Sequence, residues 1–411
     1  MDRRFFLKAG GLAVVGFGAL PRFVVRAAEA AEGARRRRTL VVVFQRGAND
    51  GLNTVVPHGE RAYYDARPTI AIPKPRDGAD AVLDLDGHFG LHPALEPLLP
   101  LWKEGSLAVV HAIGSPDPTR SHFDAQDFME SGTPGRKATD DGWMNRALLA
   151  SPESDATPLR AVSLTPNLPR ALQGRAPAVA MSGLREFGLR PFAGASAARG
   201  FEGMYAAAVD GALRGAGREA FEAISVLKRA DLASQPPENG AAYAAAPLGQ
   251  ALRQIAQLVK ADVGLELAFT EMTGWDTHAG QAGQQAARLR ELGGALAAFQ
   301  RDLGSRAADV VLVTLTEFGR TVRENGNRGT DHGHGSVSLV LGGAVQGGRV
   351  RGRWPGLGAH DLYEGRDLKV TTDYRDLLAE LLVRHLGAAD LGSVFPGFDA
   401  RPKGFPGVLK A

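Results

Sequence analysis

Six short runs of consecutive apolar residues, rich in Val and Leu, punctuate the chain at 39–44 (Thr-Leu-Val-Val-Val-Phe), 107–113, 160–164, 264–270, 309–315 and 336–341. Runs of this kind, without polar alternation, predict strands buried on both faces. Between them the apolar positions return every three or four residues. Leu289, Leu292, Leu296, Phe299 and Leu303 share one face of a helix predicted over 283–304, and Leu377, Leu378, Leu381 and Leu382 do the same over 374–386. Strands alternating with helices predict an α/β fold, a mainly parallel sheet sandwiched by helices. The stretch from about 183 to 247 breaks this rhythm. It is Ala- and Gly-rich, favours helix, and ends in Pro-Pro-Glu-Asn-Gly at 236–240, so it reads as a helical insertion in a single α/β domain spanning 39–411.

The first thirty residues follow a different logic. Arg3 and Arg4 precede Phe5-Phe6-Leu7-Lys8, an apolar glycine-broken zone runs from Ala9 to Leu20, and Ala28-Glu29-Ala30 supplies small residues for a signal peptidase. Charged, apolar and small-residue zones in that order form a cleaved signal peptide. The paired arginines point to twin-arginine (Tat) export, although Asp2 replaces the usual Ser or Thr, and an ordinary Sec signal is the alternative. The apolar zone is well short of the roughly 20 residues that span a bilayer, so no permanent membrane anchor is expected. The sequence thus predicts a periplasmic or otherwise exported protein that meets the Tat translocase during export. That route carries folded cargo and suits a metal or ligand acquired before export.

Charge supports this division. The chain carries 48 Lys and Arg against 45 Asp and Glu, with an isoelectric point near 9.2. Residues 1–30 hold five basic and two acidic residues, which is the whole excess. The remainder is balanced, and the one dense basic run, Arg35 to Arg38, reads as a solvated linker over 31–38. No nucleic-acid partner is expected. The chain has no cysteine, which excludes disulfides, thiolate metal sites and cysteine nucleophiles together. Any metal must be held by oxygen and imidazole.

Ligands of open α/β sheets bind beyond the carboxyl ends of the strands, and polar motifs gather there. Gln45-Arg46-Gly47-Ala48-Asn49-Asp50-Gly51-Leu52-Asn53 follows the first run, Gly274-Trp275-Asp276-Thr277-His278 the fourth, and Thr316-Glu317-Phe318-Gly319-Arg320-Thr321 the fifth. Asp331-His332-Gly333-His334-Gly335 leads into the sixth. An Asp and two His within four residues, with glycines to turn the backbone, supply donors suited to Zn²⁺, Mn²⁺ or iron, and the bland reading is a loop whose polar groups satisfy one another. Asp276 and His278 form a second such group, while Asp50 before a glycine reads equally as a turn residue. Ser121 precedes a helical pattern, His122 to Met129, with Asp124 three residues on. It is suited both to cap that helix and to act as a nucleophile where free backbone N–H groups hold an anion. Arg120 beside it has the geometry for phosphate or sulfate oxygens. His92 and His111 read as structural. His58, His88, His360 and His385 carry no signal.

On these five motifs, counting Thr119-Arg120-Ser121-His122-Phe123-Asp124-Ala125-Gln126 with the four above, the chain resembles the domain-of-unknown-function 1501 family from about residue 38 onward. That family in turn is similar to a remote branch of the alkaline phosphatase and sulfatase superfamily. The resemblance implies a divalent metal cofactor, one ion or two, of Zn²⁺, Mn²⁺ or Ca²⁺. It assigns Asp50 as a ligand after the first strand, Ser121 as nucleophile, Asp276 with His278 and Asp331 with His332 as ligand pairs, and His334 as a further histidine nearby. Glu317 falls to the same site as a ligand or as the partner of one. Three departures stand out. The middle pair is spaced Asp-x-His instead of Asp-x-x-x-His, no late third histidine is matched, and Ser115-Pro116-Asp117-Pro118-Thr119-Arg120 has the wrong spacing for a sulfatase motif.

The expected activity is therefore metal-dependent hydrolysis of phosphate or sulfate esters, on a small-molecule or glycan substrate. The alternative is a non-catalytic envelope or glycan-binding protein that retains the fold. A metal-dependent oxidoreductase is a third reading, without a cofactor motif beyond the His/Asp cluster.

Overall fold

The structure is a computed structural model, which describes residues 37–137, 139–151, 157, 159–184 and 232–410. The export signal and most of the expected helical insertion lie outside the described residues, all of which belong to one unit spanning Arg37–Pro152 and Ala156–Ala411. Among the described residues no helix is long and apolar enough to cross a membrane.

Twelve strands are described: β1 (Thr39–Gln45), β2 (Val55–Val56), β3 (Leu83–Asp84), β4 (Gly90–Leu91), β5 (Leu107–Gly114), β6 (Ala161–Ser163), β7 (Val179–Ala180), β8 (Leu267–Met272), β9 (Val310–Thr316), β10 (Ser336–Gly342), β11 (Val350–Arg351) and β12 (Thr372–Asp373). The main sheet has the order β11-β5-β10-β9-β1-β8-β6-β7, with β12 also on β5, while β2, β4 and β3 form a small antiparallel sheet. All six apolar runs become strands of the main sheet. Every pairing in it is parallel except those of β10, which runs antiparallel to both β9 and β5.

The helices that matter for the site are α1 (His122–Ser131), α2 (Trp143–Ala150), α3 (Pro247–Lys260), α4 (Gln281–Leu303) and α5 (Tyr374–Leu381). They cover both faces of the sheet. Val41 and Val43 of β1 pack with the Leu289, Leu292, Leu296 and Phe299 stripe of α4 and with Leu252 and Ile255 of α3. Leu40, Val42 and Phe44, alternating with them, pack against Met129 of α1, Trp143 and Met144 of α2, and Leu377, Leu378 and Leu381 of α5. Both faces of β1 are therefore core, which is why its sequence shows no polar alternation. The α/β sandwich expected from the sequence is the observed architecture.

Other expectations meet the structure at their edges. The Pro-Pro-Glu-Asn-Gly segment is irregular, with Asn239 and Gly240 in the left-handed region, and α3 begins at Pro247, where a missing N–H costs nothing. Arg37 and Arg38 lie against the domain: Arg37 pairs with Glu266, and Arg38 donates to the carbonyls of Arg384 and His385.

The topology sets up the site. Because β1, β5, β8 and β9 run the same way, their carboxyl ends share one edge of the sheet, and antiparallel β10 begins at that edge. Residues 46–50, 115–121, 273–278, 317–320 and 331–335 consequently meet there.

Candidate metal centre

Three imidazole rings converge at this edge. His122 opens α1, His278 follows β8, and His332 precedes β10. The Nε2 atom of His332 lies 3.0 Å from Nε2 of His122 and 3.0 Å from Nε2 of His278. The Asp276 carboxylate joins them, with Oδ1 at 3.0 Å from His278 Nε2 and 3.2 Å from His332 Nε2, and Oδ2 at 3.5 Å from His122 Nε2. His122, Asp276 and His332 each offer one ligand atom within 4.8 Å of the others.

The outer nitrogens decide the state of the inner ones. Nδ1 of His332 lies 2.8 Å from the Arg120 carbonyl, Nδ1 of His122 lies 2.8 Å from Glu317 Oε1, and Nδ1 of His278 lies 3.0 Å from Asp331 Oδ1. A carbonyl and two carboxylates only accept, so each Nδ1 carries a hydrogen, and in the neutral tautomer this leaves the Nε2 lone pair of each ring turned inward. Lone pairs 3.0 Å apart beside a carboxylate do not bond to one another. They fit a shared cation, and imidazole backed by a carboxylate or carbonyl is the usual support of such ligands.

The electrostatics run the same way. Glu317 is fully buried, and burial opposes its ionisation. Its hydrogen bonds from His122, Gln126 and the backbone N–H of Gly47 outweigh that, holding the carboxyl below its usual range. The Glu317 bond in turn raises the affinity of His122 for a proton. Burial lowers that of His332. Asp276 is exposed, and the part of it that is covered favours its neutral form, but the buried Arg320 guanidinium donates to Oδ1 at 2.7 Å and keeps the carboxyl low. Asp331 is held low by His278 and then by Asn325. Beneath the cluster the Phe318 ring lies 5.0 Å from the rings of His122 and His332, an apolar floor that strengthens every charge interaction above it.

The fold brings Asp276, His278 and His332 together as the sequence motifs suggested; Asp331, expected as a ligand, instead sits behind His278 on its outer nitrogen, Glu317 stands behind His122 in the same way, and three other candidates stand differently. Asp50 is buried and its carboxylate is taken: Arg67 donates to both oxygens at 2.5 and 3.0 Å, Gln281 donates at 2.5 Å, and Oδ1 accepts the Leu52 N–H and so caps the short helix Gly51–Thr54. His334 stacks on Tyr363 at 4.5 Å, away from the converging nitrogens, and burial lowers its proton affinity. The Arg120 guanidinium is held by Asp367 at 2.6 Å and Glu364 at 2.7 Å, while its carbonyl fixes His332.

Ser121 occupies the N-cap position of α1, but its side chain accepts no backbone N–H of the helix. The capping reading therefore holds for position and not for the hydroxyl. Asp124, held low chiefly by Lys137, also receives the Ser121 hydroxyl.

Two residues of the cluster were not singled out by sequence reasoning. His122 sat inside a motif that drew attention to its neighbour Ser121, and a single histidine at a helix start carries no spacing signal. Arg320 lay in the Thr316–Thr321 motif, but only the fold shows that it is buried under Asp276.

No curated protein matches this chain. Among solved structures it is similar to one described as the C-terminal periplasmic domain of EcEptC from Escherichia coli in complex with Zn, at 11% identity and a TM-score of 0.39, covering 90% of this chain and 89% of that one. The profile of the family described as "Protein of unknown function (DUF1501)" matches residues 105–396, a span that contains every residue of the His/Asp cluster. With more than half of its length matched, the chain belongs to the DUF1501 family.

Proposed function

We propose that this chain is an exported, metal-dependent hydrolase of phosphate or sulfate esters, with an alkaline-phosphatase-like arrangement of its site. The observation that supports it is the convergence of three imidazole Nε2 atoms and the Asp276 carboxylate at the strand ends. His122, Asp276, His278 and His332 would hold the ion. A divalent ion such as Zn²⁺ or Mn²⁺ supplies Lewis acidity, polarising an ester and easing deprotonation of a nearby hydroxyl.

The chain's own groups do the rest. Ser121 presents a hydroxyl that no helix N–H has claimed, at a position where the first-turn N–H groups of α1 favour an anion. Glu317, Asp331 and the Arg120 carbonyl keep the three rings turned inward. Arg320 keeps Asp276 ionised and oriented. The Arg120 guanidinium, held by Asp367 and Glu364, would meet a substrate oxygen only by giving up the exposed Glu364.

Metal analysis of the purified full-length protein, with a p-nitrophenyl phosphate and sulfate panel, tests this reading. Stoichiometric metal and turnover, with turnover abolished in Ser121→Ala, is the expected result. Metal-replete protein inert on every ester points instead to a non-catalytic binding protein. The full pairing of the Arg120 guanidinium with Glu364 and Asp367 favours that second reading.

A further inference from the structure

One face of α1 carries more than His122. His122, Gln126 and Glu130 are spaced i, i+4 and i+8 and so line the same side of the helix. All three are engaged. Gln126 Nε2 donates to Glu317 Oε1 at 2.8 Å, the same oxygen that receives His122 Nδ1. Gln126 Oε1 accepts from Arg46 Nη1 at 3.0 Å, and Glu130 Oε1 accepts from Arg46 Nη2 at 2.8 Å. Arg46, the first residue after β1, also donates through Nε to Glu271 of β8 at 2.6 Å.

The donor pattern fixes the amide. A guanidinium has donors only, so the Gln126 atom facing Arg46 must be the oxygen, and the atom facing Glu317 must be the N–H group. Arg46 thereby ties α1 to the ends of two parallel strands through two rungs of one helix face, setting the rotation of the helix about its axis. That rotation aims the His122 ring.

We infer that Arg46 and Gln126 are positioning residues for the metal centre, acting through Glu317 to hold the His122 ring with Nε2 turned toward Asp276 and His332. This rests on the metal-dependent reading only for its affinity readout. The alternative is that the pair merely staples helix to sheet, in which case losing Gln126 costs stability and leaves the ring where it is.

The test compares Gln126→Leu and Arg46→Lys with the parent chain. The first removes both amide bonds at similar size, and the second keeps a cation between Glu130 and Glu271 without the three-way donor fork. In metal-free protein, the hydrogen-bonded His122 Nδ1–H is expected as a low-field proton resonance, assigned by its loss in His122→Asn. It disappears in both variants as the ring is freed. Zn²⁺ affinity, measured by competition with a chromogenic chelator, falls about 10- to 100-fold, and the visible spectrum of the Co²⁺-loaded protein changes with the lost imidazole. Thermal unfolding of the metal-free variants falls under either reading, because Gln126→Leu strips a donor from the buried Glu317 and Arg46→Lys loosens α1 from the strands, so the ring resonance and the Zn²⁺ affinity decide. A retained His122 resonance in either variant overturns the inference, as does parental Zn²⁺ affinity in either. If the parent chain binds no Zn²⁺ at all, the proposed function falls, and the ring resonance alone decides the positioning role.

Discussion

At the scale of single residues, the contrast between Asp50 and Asp276 shows how environment assigns a role to the same side chain. Both follow a strand of the parallel set, and both stood as ligand candidates in the sequence. Asp50 is 2% exposed and faces Arg67, whose side chain is itself fully buried; Asp276 keeps 43% of its side chain exposed and meets three imidazoles. Sequence could not separate them, because the residue that claims Asp50 lies 17 positions on and its approach depends on how Tyr63 and Asn53 pack. The expected outcomes diverge. Asp50→Asn leaves Arg67 with an uncompensated buried charge and costs about 3–5 kcal/mol of stability, while metal content per folded molecule stays at the parental value. Asp276→Asn also costs stability, because it leaves the buried Arg320 guanidinium without its carboxylate, but unlike Asp50→Asn it sharply lowers metal affinity. Urea denaturation together with metal analysis on both variants checks the pair, and a stable Asp50→Asn protein without metal would reverse the assignment.

At the scale of elements, two loops from different strands carry His332 and the groups that hold the other ligands, Glu317, Arg320 and Asp331, and glycine lets them touch. Gly319 follows β9 and Gly333 precedes β10. Gly319 N–H donates to the His334 carbonyl at 2.8 Å, and Gly333 N–H donates to the Gly319 carbonyl at 2.8 Å. A Cβ at Gly319 would sit 1.8 Å from the Gly335 carbonyl oxygen, which is backbone and cannot swing aside. Gly319→Ala therefore forces apart the loop bearing Glu317 and Arg320 and the loop bearing Asp331 and His332. It is expected to cost roughly 1–3 kcal/mol and to lower metal affinity together with stability. Gly294 in α4 is the control, since nothing lies within 4 Å of its Cβ position, and Gly294→Ala should stabilise the helix by about 0.5–1 kcal/mol. Melting curves with and without added Zn²⁺ distinguish the two substitutions. The elements themselves were legible in the sequence because burial on both faces erases polar alternation from strands such as β1 and leaves a three-and-four stripe on α4. What was not legible was their convergence: glycines at 319 and 333 read as loop residues, and only the strand order β10-β9-β1-β8 brings their loops to Asp276 and His278.

At the scale of the whole molecule, three histidines outside the metal cluster couple folding to pH. His92 caps the turn at Pro93–Leu98 by accepting the Ala94 N–H, His111 lies within β5 against the Val55 carbonyl, and His385 meets the Thr39 carbonyl. Burial pushes each down to about 4 from 6.5. The unfolded chain takes up these protons near pH 6.5 and the folded chain only near 4. Their contribution to stability is therefore complete above about 6.5 and is lost as pH falls toward 4. Each contributes a limiting slope of about 1.4 kcal/mol per pH unit in that window. Asp376 opposes them: burial, and then the charge of Asp373, raise it to about 6, so the folded state gains a proton there that the unfolded state takes up lower. The carboxylates of the metal site, held low, add their loss only at more acidic pH, below the usual carboxylate range. Replacing His111 by Gln keeps a donor for the Val55 carbonyl while removing one titrating ring. Unfolding free energies measured in urea on metal-free protein between pH 6.5 and 4.5 should then decline less steeply than in the parent, by about 1.4 kcal/mol per pH unit at most. Parallel pH profiles for the two proteins would mean that His111 takes up its proton at the same pH in the folded chain as in the unfolded one, so that burial inside β5 does not lower its proton affinity.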